Sequence, residues 1–308
     1  MRAVTVDERG AAPAVRDDMP APAPGDREVI VRVHASSVNP VDNAIASGML
    51  EDMVEHVFPV TLGRDYAGVV EQVGAGVTGL STGDEVFGFM PGMSPNVHDG
   101  SWAELIAVPA ASVARKPAGV DAAAAGAATL AAVTAMMCVD ALDLARGAAV
   151  LIVGASGGVG SLAVQLAAAA GATVIAPGLP EDEDYLRGLG ATDVPPRDGD
   201  VVAAVRERHP DGVDAILDAV SYTPGSYDSA LKDGGRVASP TNAAGDGPGR
   251  ANVMSVPLPE YLQRVARLLD AGTLRVNIRR AYPLERAGEA LRALAAEHTQ
   301  GKLAIRFD

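Results

Sequence analysis

A single cysteine, Cys138, stands in an otherwise cysteine-free sequence, so no disulfide can form within the chain, and a reducing, intracellular setting is expected. It sits in an apolar, helix-forming context, the setting of an inert buried thiol and not of a nucleophile. The histidines, His34, His56, His98, His209 and His298, are scattered, and no cluster of His, Cys and acids has metal-ligand spacing. Aromatic residues are few, 4% against 48% hydrophobic overall. Ala, Val and Leu must therefore build most of the interior, which suits parallel strands buried on both faces. Positive charge is in deficit, with 25 Lys and Arg against 39 Asp and Glu for a net −14. So acidic a surface repels nucleic acid and anionic lipid, which removes both as expected partners. Met1 to Asp7 reads as the start of a strand, without the apolar core of a signal peptide. The most apolar segments are rich in Ala and Gly and broken by charges, so no membrane span is expected, and the cytoplasm is the expected location.

What is present falls into two textures. Residues 1–110 read as β-rich, with strands predicted at 28–34, 68–73, 85–89 and 103–108 between Gly- and Pro-containing turns. That pattern predicts a partly closed barrel or a sandwich. The composition changes near 117, and residues 121–144 form an Ala-rich helix by propensity. Strands at 149–153, 173–176, 215–219 and 236–239 then alternate with helices at 161–170, 182–189, 201–208 and 226–232. Such alternation predicts an α/β fold with a doubly wound parallel sheet of the Rossmann type. A long loop is expected over 240–257, followed by helices at 258–270 and 284–296 and a last strand at 303–307.

The densest signal is the run from Ala149 through Val153 into Gly154-Ala155-Ser156-Gly157-Gly158-Val159-Gly160. An apolar strand breaks into a tight turn, and a helix follows. Backbone N–H groups and the positive end of a helix dipole then converge on one point, where a pyrophosphate binds without a basic side chain. Gly154, Gly157 and Gly160 permit the turn, the close approach of phosphate and helix–strand contact. Ser156, Gly157, Gly158 and Val159 are the expected N–H donors.

Blocks in order along the chain resemble the quinone oxidoreductase branch of the medium-chain dehydrogenase/reductase superfamily. They are Ala35-Ser36-Ser37-Val38-Asn39-Pro40-Val41-Asp42, Leu62-Gly63-Arg64-Asp65-Tyr66, Gly83-Asp84, Gly100-Ser101-Trp102-Ala103-Glu104, Leu130 to Ala135, Asp214 to Asp218, Gly234-Gly235 and Gly301-Lys302. The resemblance implies a discontinuous barrel-like (GroES-like) catalytic domain, residues 1–117 and 252–308, around a dinucleotide-binding domain, 118–251. Zinc-dependent relatives bind metal through Cys and His in two of these loops, where this chain has Ser37, Asn39, Arg64 and Asp65. The zinc-independent members transfer hydride from NADPH to a quinone or to the C=C bond of an α,β-unsaturated carbonyl, so a small apolar substrate is implied. Asn39 is expected beside the nicotinamide, its alternative being a turn residue before Pro40. Asp42 has a loop-bracing role. Tyr66 is either a hydrogen-bond donor to substrate or a packing residue, and Thr134 either contacts the cofactor or packs its helix. Ser239 and Thr241 would flank the nicotinamide, and Tyr185 would lie near the adenine or phosphate. Relatives pair as homodimers through an edge strand, for which residues 234–240 are the candidate.

The resemblance breaks after Ala176. An acid there reads the ribose of NAD, and a base reads the 2′-phosphate of NADP. This chain instead runs Pro177-Gly178-Leu179-Pro180-Glu181-Asp182-Glu183-Asp184. The acids either repel a 2′-phosphate or form a solvated helix start. NADPH is the family expectation and NADH the competitor. A non-redox enzyme on the same scaffold, such as a cyclase or isomerase, is the alternative function, and a nucleotide-binding module a third.

Overall fold

The computed structural model describes residues 1–92 and 96–307. The chain divides into two units, 1–130 with 256–270 and 276–308, and 131–255 with 271–275. The first boundary lies within the helix Ala122–Leu142 and not near 117, because Leu130 N–H donates to the Asp65 carboxylate (2.6 Å) and ties the first half of that helix to the barrel unit. By length and composition this helix qualifies to cross a membrane, yet 72% of its apolar window is buried, as in a core helix.

In the first unit, strands run in the order Val113–Arg115, Glu85–Phe89, Asp65–Val73, Glu28–Ser37, Lys302–Arg306 and Ile278–Pro283, with Leu105–Pro109 also paired to Glu28–Ser37. The alternating burial of Leu105–Pro109 marks one face turned inward. The last strand, Lys302–Arg306, pairs antiparallel with Glu28–Ser37 in the register Ala304 to Ser37. That pairing carries Lys302 to the loop that starts at Val38. Buried Val, Ile and Ala residues fill two cores here, and Trp102 and Tyr66 are the largest side chains wholly enclosed.

The second unit holds a five-stranded parallel sheet in the order Thr173–Ile175, Ala149–Val153, Val213–Asp218, Leu231–Ser239 and Arg250–Asn252. All five residues of Ala149–Val153 are buried, as a central parallel strand requires. Three expectations are corrected. Residues 226–232 do not form a helix: Asp228–Ala230 is a short 3₁₀ turn, and Leu231 already begins a strand. The apolar residues there are too few for a helical face, and Arg250 grips Asp228 through two bonds (2.7 and 2.8 Å). The loop expected over 240–257 contains the fifth strand, Arg250–Asn252. As a result residues 234–240 are internal to the sheet, and the edge is Arg250–Asn252.

Candidate functional site

In the second unit the chain leaves Val153 through Gly154 at φ +78°, a left-handed conformation that glycine adopts without strain. Gly157 begins the helix Gly158–Ala169, and Ser161 N–H makes the first intrahelical bond, to Gly157 O (2.9 Å). The N–H groups of Gly158, Val159 and Gly160 precede any helical acceptor, and Gly157 has no side chain to cap them. A Cβ on Gly160 would lie 2.1 Å from Gly154 O, so only glycine lets the helix approach the strand this closely. Ser156 is buried beside this start. One expected donor is removed: Gly157 N–H is committed to Gly154 O (3.1 Å), where it closes the turn. An uncapped, glycine-lined helix start of this kind fits a dinucleotide pyrophosphate.

The other residues assigned to this unit have local partners. Thr134 Oγ1 hydrogen-bonds Ser255 Oγ, joining its helix to the chain that leaves the unit. The Ser239 hydroxyl accepts from Thr241 N–H (3.0 Å) and Ala243 N–H (3.1 Å), and Thr241 Oγ1 donates to Ser221 O. Both hydroxyls thus shape the loop beyond the fourth strand. Asp218, to which no role had been given, caps the neighbouring turn by accepting from Val220 N–H (3.1 Å) and Ser221 N–H (2.9 Å). Tyr185 is half-buried on the helix Glu183–Leu189.

The acidic run separates into distinct jobs. Asp182 is buried and accepts from Leu179 N–H (3.0 Å), while Glu183 pairs with Arg187 (2.9 Å) one helical turn on. Glu181 and Asp184 are exposed. This is a capped, solvated helix start.

In the first unit, the loops that bring Cys and His together in zinc-dependent relatives carry a buried polar network. Asn39 Nδ2 donates to Asp65 Oδ2 (2.8 Å) and Ser37 Oγ (3.3 Å). Ser37 Oγ donates to the same Asp65 oxygen (2.6 Å). Lys302 Nζ donates to Asn39 Oδ1 (2.6 Å) and Val38 O (3.0 Å), and lies 3.9 Å from Asp65 Oδ2. Asp42 Oδ2 accepts from Asn39 N–H (2.7 Å), half of a capping box for the helix Pro40–Ala46, while its Oδ1 has no partner among the described residues. Arg64 donates to the carbonyls of Met90, Pro91 and Asp99. Two cations and two carboxylates are thus buried together, with Asp42 and Asp65 wholly enclosed. Burial pushes the Asp42 carboxyl up to about 7, against the pull of Asn39 N–H, Arg64 and Lys302. Burial also lowers the Lys302 ammonium, opposed by the charges of Asp65 and Asp42. A zinc ion does not fit this donor set: the ammonium already holds Asn39 and neighbours Asp65, and the one cysteine is buried elsewhere, its thiol pushed up to about 12.

Tyr66 is a correction. It is 0% exposed, its hydroxyl donates to Ser112 O (2.7 Å), and burial holds its proton on far above the ordinary phenol range. It packs the core and does not present a donor. Asn39 is 5% exposed with both amide atoms engaged, and it directly precedes the helix Pro40–Ala46 as its cap residue. The sequence pattern assigns no site role to Lys302, which stands in the Gly301-Lys302 block ahead of the last strand; a lysine before Leu303-Ala304-Ile305 is the available signal.

A five-stranded parallel sheet with a glycine turn into a helix, and a second, barrel-like unit, are the parts expected of a nicotinamide-dependent oxidoreductase. Residues 25–118 match the alcohol dehydrogenase GroES-like domain, and residues 189–305 the zinc-binding dehydrogenase family. A chloroplast envelope quinone oxidoreductase homolog of Arabidopsis thaliana is 29% identical over 96% of this chain and 94% of its own. A mitochondrial NAD(P)H oxidoreductase of Homo sapiens is 31% identical over 90% of this chain and 81% of its own. The phthioceranic/hydroxyphthioceranic acid synthase of Mycobacterium tuberculosis is 36% identical over 92% of this chain, which spans only 14% of that synthase. The quinone oxidoreductase of Coxiella burnetii has the same fold, with a TM-score of 0.87 and 27% identity over 99% of both chains. The chain belongs to the medium-chain dehydrogenase/reductase superfamily, in its quinone oxidoreductase-like branch, and is an enzyme of the NAD(P)H oxidoreductase type.

Proposed function

We propose that the protein transfers hydride from NADPH to a quinone or to the C=C bond of an α,β-unsaturated carbonyl, without a metal. The observation that carries this reading is the network of Ser37, Asn39, Asp65 and Lys302, which occupies the zinc loops with a side-chain cation. A donor set whose Asn39 and Asp65 already face the Lys302 ammonium does not suit zinc, so alkoxide chemistry of the zinc type has no support in these residues. Reduction of an activated double bond asks less of the protein. Nicotinamide, when bound, would supply the hydride, and the N–H groups of Gly158, Val159 and Gly160 would hold its pyrophosphate. Asn39 is held rigid between Lys302 and Asp65, so its position is preorganised. Charge that develops on the substrate carbonyl needs a donor, and the last proton is available from water. The reading also takes the enzyme to be a homodimer, for which the exposed strand edge at Arg250–Asn252 offers a pairing surface.

The test is NADPH oxidation with a panel of quinones and α,β-unsaturated ketones. Turnover that depends strictly on nicotinamide is expected. Absence of turnover with every acceptor, or conversion of substrate in nucleotide-free buffer, overturns the reading in favour of non-redox chemistry.

A further inference from the structure

Segments of the first unit that are distant in sequence line a pocket of about 190 Å³. Among them are the chain before the strand Ala3–Val6, the chain after Ala14–Arg16, the turn after Glu85–Phe89, and the strands Val60–Thr61 and Leu105–Pro109. Among the described residues its lining includes none of Ser37, Asn39, Asp65 and Lys302, so the pocket is separate from the buried polar network. The lining is largely apolar. An apolar cavity of about 150 Å³ holds one benzene molecule. This pocket therefore has room for a single six-membered ring.

Two features of the wall set the chemistry of an occupant. The first is a set of thioethers. Met1, Met19 and Met90 all line the pocket, with Met90 buried and the other two packed against the same core. A thioether sulfur is polarizable, makes a favourable contact with an aromatic ring at about 5 Å, and sits on a side chain flexible enough to mould to it. Arg64 fixes this part of the wall by donating to Met90 O (3.3 Å). The second feature is Thr61. It lines the pocket at 7% exposure, and its hydroxyl makes no hydrogen bond among the described residues. A hydroxyl this buried is costly to leave unpaired. Its backbone is fixed by pairing with Thr5, which keeps the residue at the pocket wall. A hydroxyl both donates and accepts, so it suits a phenolic oxygen.

We propose that this pocket binds a single-ring phenol, with the ring against the three thioethers and the oxygen on the Thr61 hydroxyl. The inference goes beyond the hydride-transfer reading and does not depend on it. It accounts for a buried hydroxyl without a partner, and for three methionines brought from separate segments to one cavity.

Nuclear magnetic resonance of the full chain, labelled at the methionine methyl groups and titrated with phenol and with toluene, tests it. Phenol should shift the signals of Met1, Met19 and Met90 saturably and leave those of the exposed Met49, Met53 and Met254 in place. Thr61→Val keeps the shape of the side chain and removes the hydroxyl. It should lower the ratio of phenol to toluene affinity about fivefold. Ala107→Leu adds bulk at the pocket wall and should weaken both ligands about tenfold or more. Circular dichroism and the melting temperature confirm that both variants are folded. No saturable shift with phenol, shifts confined to Met49, Met53 and Met254, or undiminished binding by Ala107→Leu overturns the site. An unchanged ratio in Thr61→Val overturns the assignment of a phenol. No nucleotide and no turnover enters these measurements, so each of these failures leaves the hydride-transfer reading standing.

Discussion

At the scale of the residue, Lys302 has the largest consequence in the first unit. Its ammonium joins Asn39 and Val38 of one loop and lies near Asp65 of another, wholly inside the protein. Lys302→Met retains the aliphatic volume but leaves a buried carboxylate and two acceptors without their cation. Removing one partner of a buried charged set costs about 3–5 kcal/mol. The urea midpoint should fall accordingly, and nucleotide binding in the second unit should be spared wherever the variant remains folded. Asp42 supplies a pH dependence. An unfolded Asp titrates near 4, roughly, whereas the folded carboxyl stands at about 7. Between these values the folded chain keeps a proton that the unfolded chain releases. The contribution to stability is therefore full at the acid end and is lost as pH rises through that window. Urea unfolding at about pH 5 and about pH 8 should show this loss in the wild-type protein and a flatter profile in Asp42→Asn.

At the scale of the element, the glycine turn is set by contact distance more than by chain flexibility. The hypothetical Cβ of Gly160 meets a backbone carbonyl at 2.1 Å, and no flexible side chain is there to yield. Gly160→Ala should displace the start of the helix Gly158–Ala169, destabilise the unit by about 1–3 kcal/mol, and weaken NADPH binding, as measured by thermal unfolding and calorimetry together. Strands and helices with a clear period or a flanking breaker were legible in the sequence: 85–89, 149–153 and 201–208 fall where the pattern places them. The misplaced element, at 226–232, is flanked by breakers, Pro224-Gly225 and Gly234-Gly235, but has too few apolar residues to define a period. Its Tyr227, Ala230 and Leu231 suit a short turn as well as a helix, and the decision falls to Arg250, distant in sequence. The three-residue strand Arg250–Asn252 is similarly silent, because it has no apolar alternation and exists only by pairing with Leu231–Ser239.

At the scale of the whole molecule, the expected ligand is a nicotinamide nucleotide and not a metal. A nicotinamide nucleotide at about a hundredfold over its Kd should add about 2.7 kcal/mol of stability, seen as a rise in melting temperature. Exhaustive dialysis against a chelator should change neither the melting temperature nor the rate, since the polar network of the first unit is closed by Lys302. A fall in either would show a metal at work and would remove the metal-free reading.

The sequence by itself determined the α/β class, the glycine turn between strand and helix, and the superfamily. All of these rest on local period, on glycine at particular positions, or on ordered blocks of residues. The tertiary structure alone decided that Tyr66 is sealed against Ser112, that Asn39 is held between Lys302 and Asp65, and that the acids at 181–184 serve a helix start. Each of these outcomes depends on pairing between segments far apart in the chain. A side chain's burial and its hydrogen-bond partner are set by that pairing, and neighbouring residues in the sequence do not encode it.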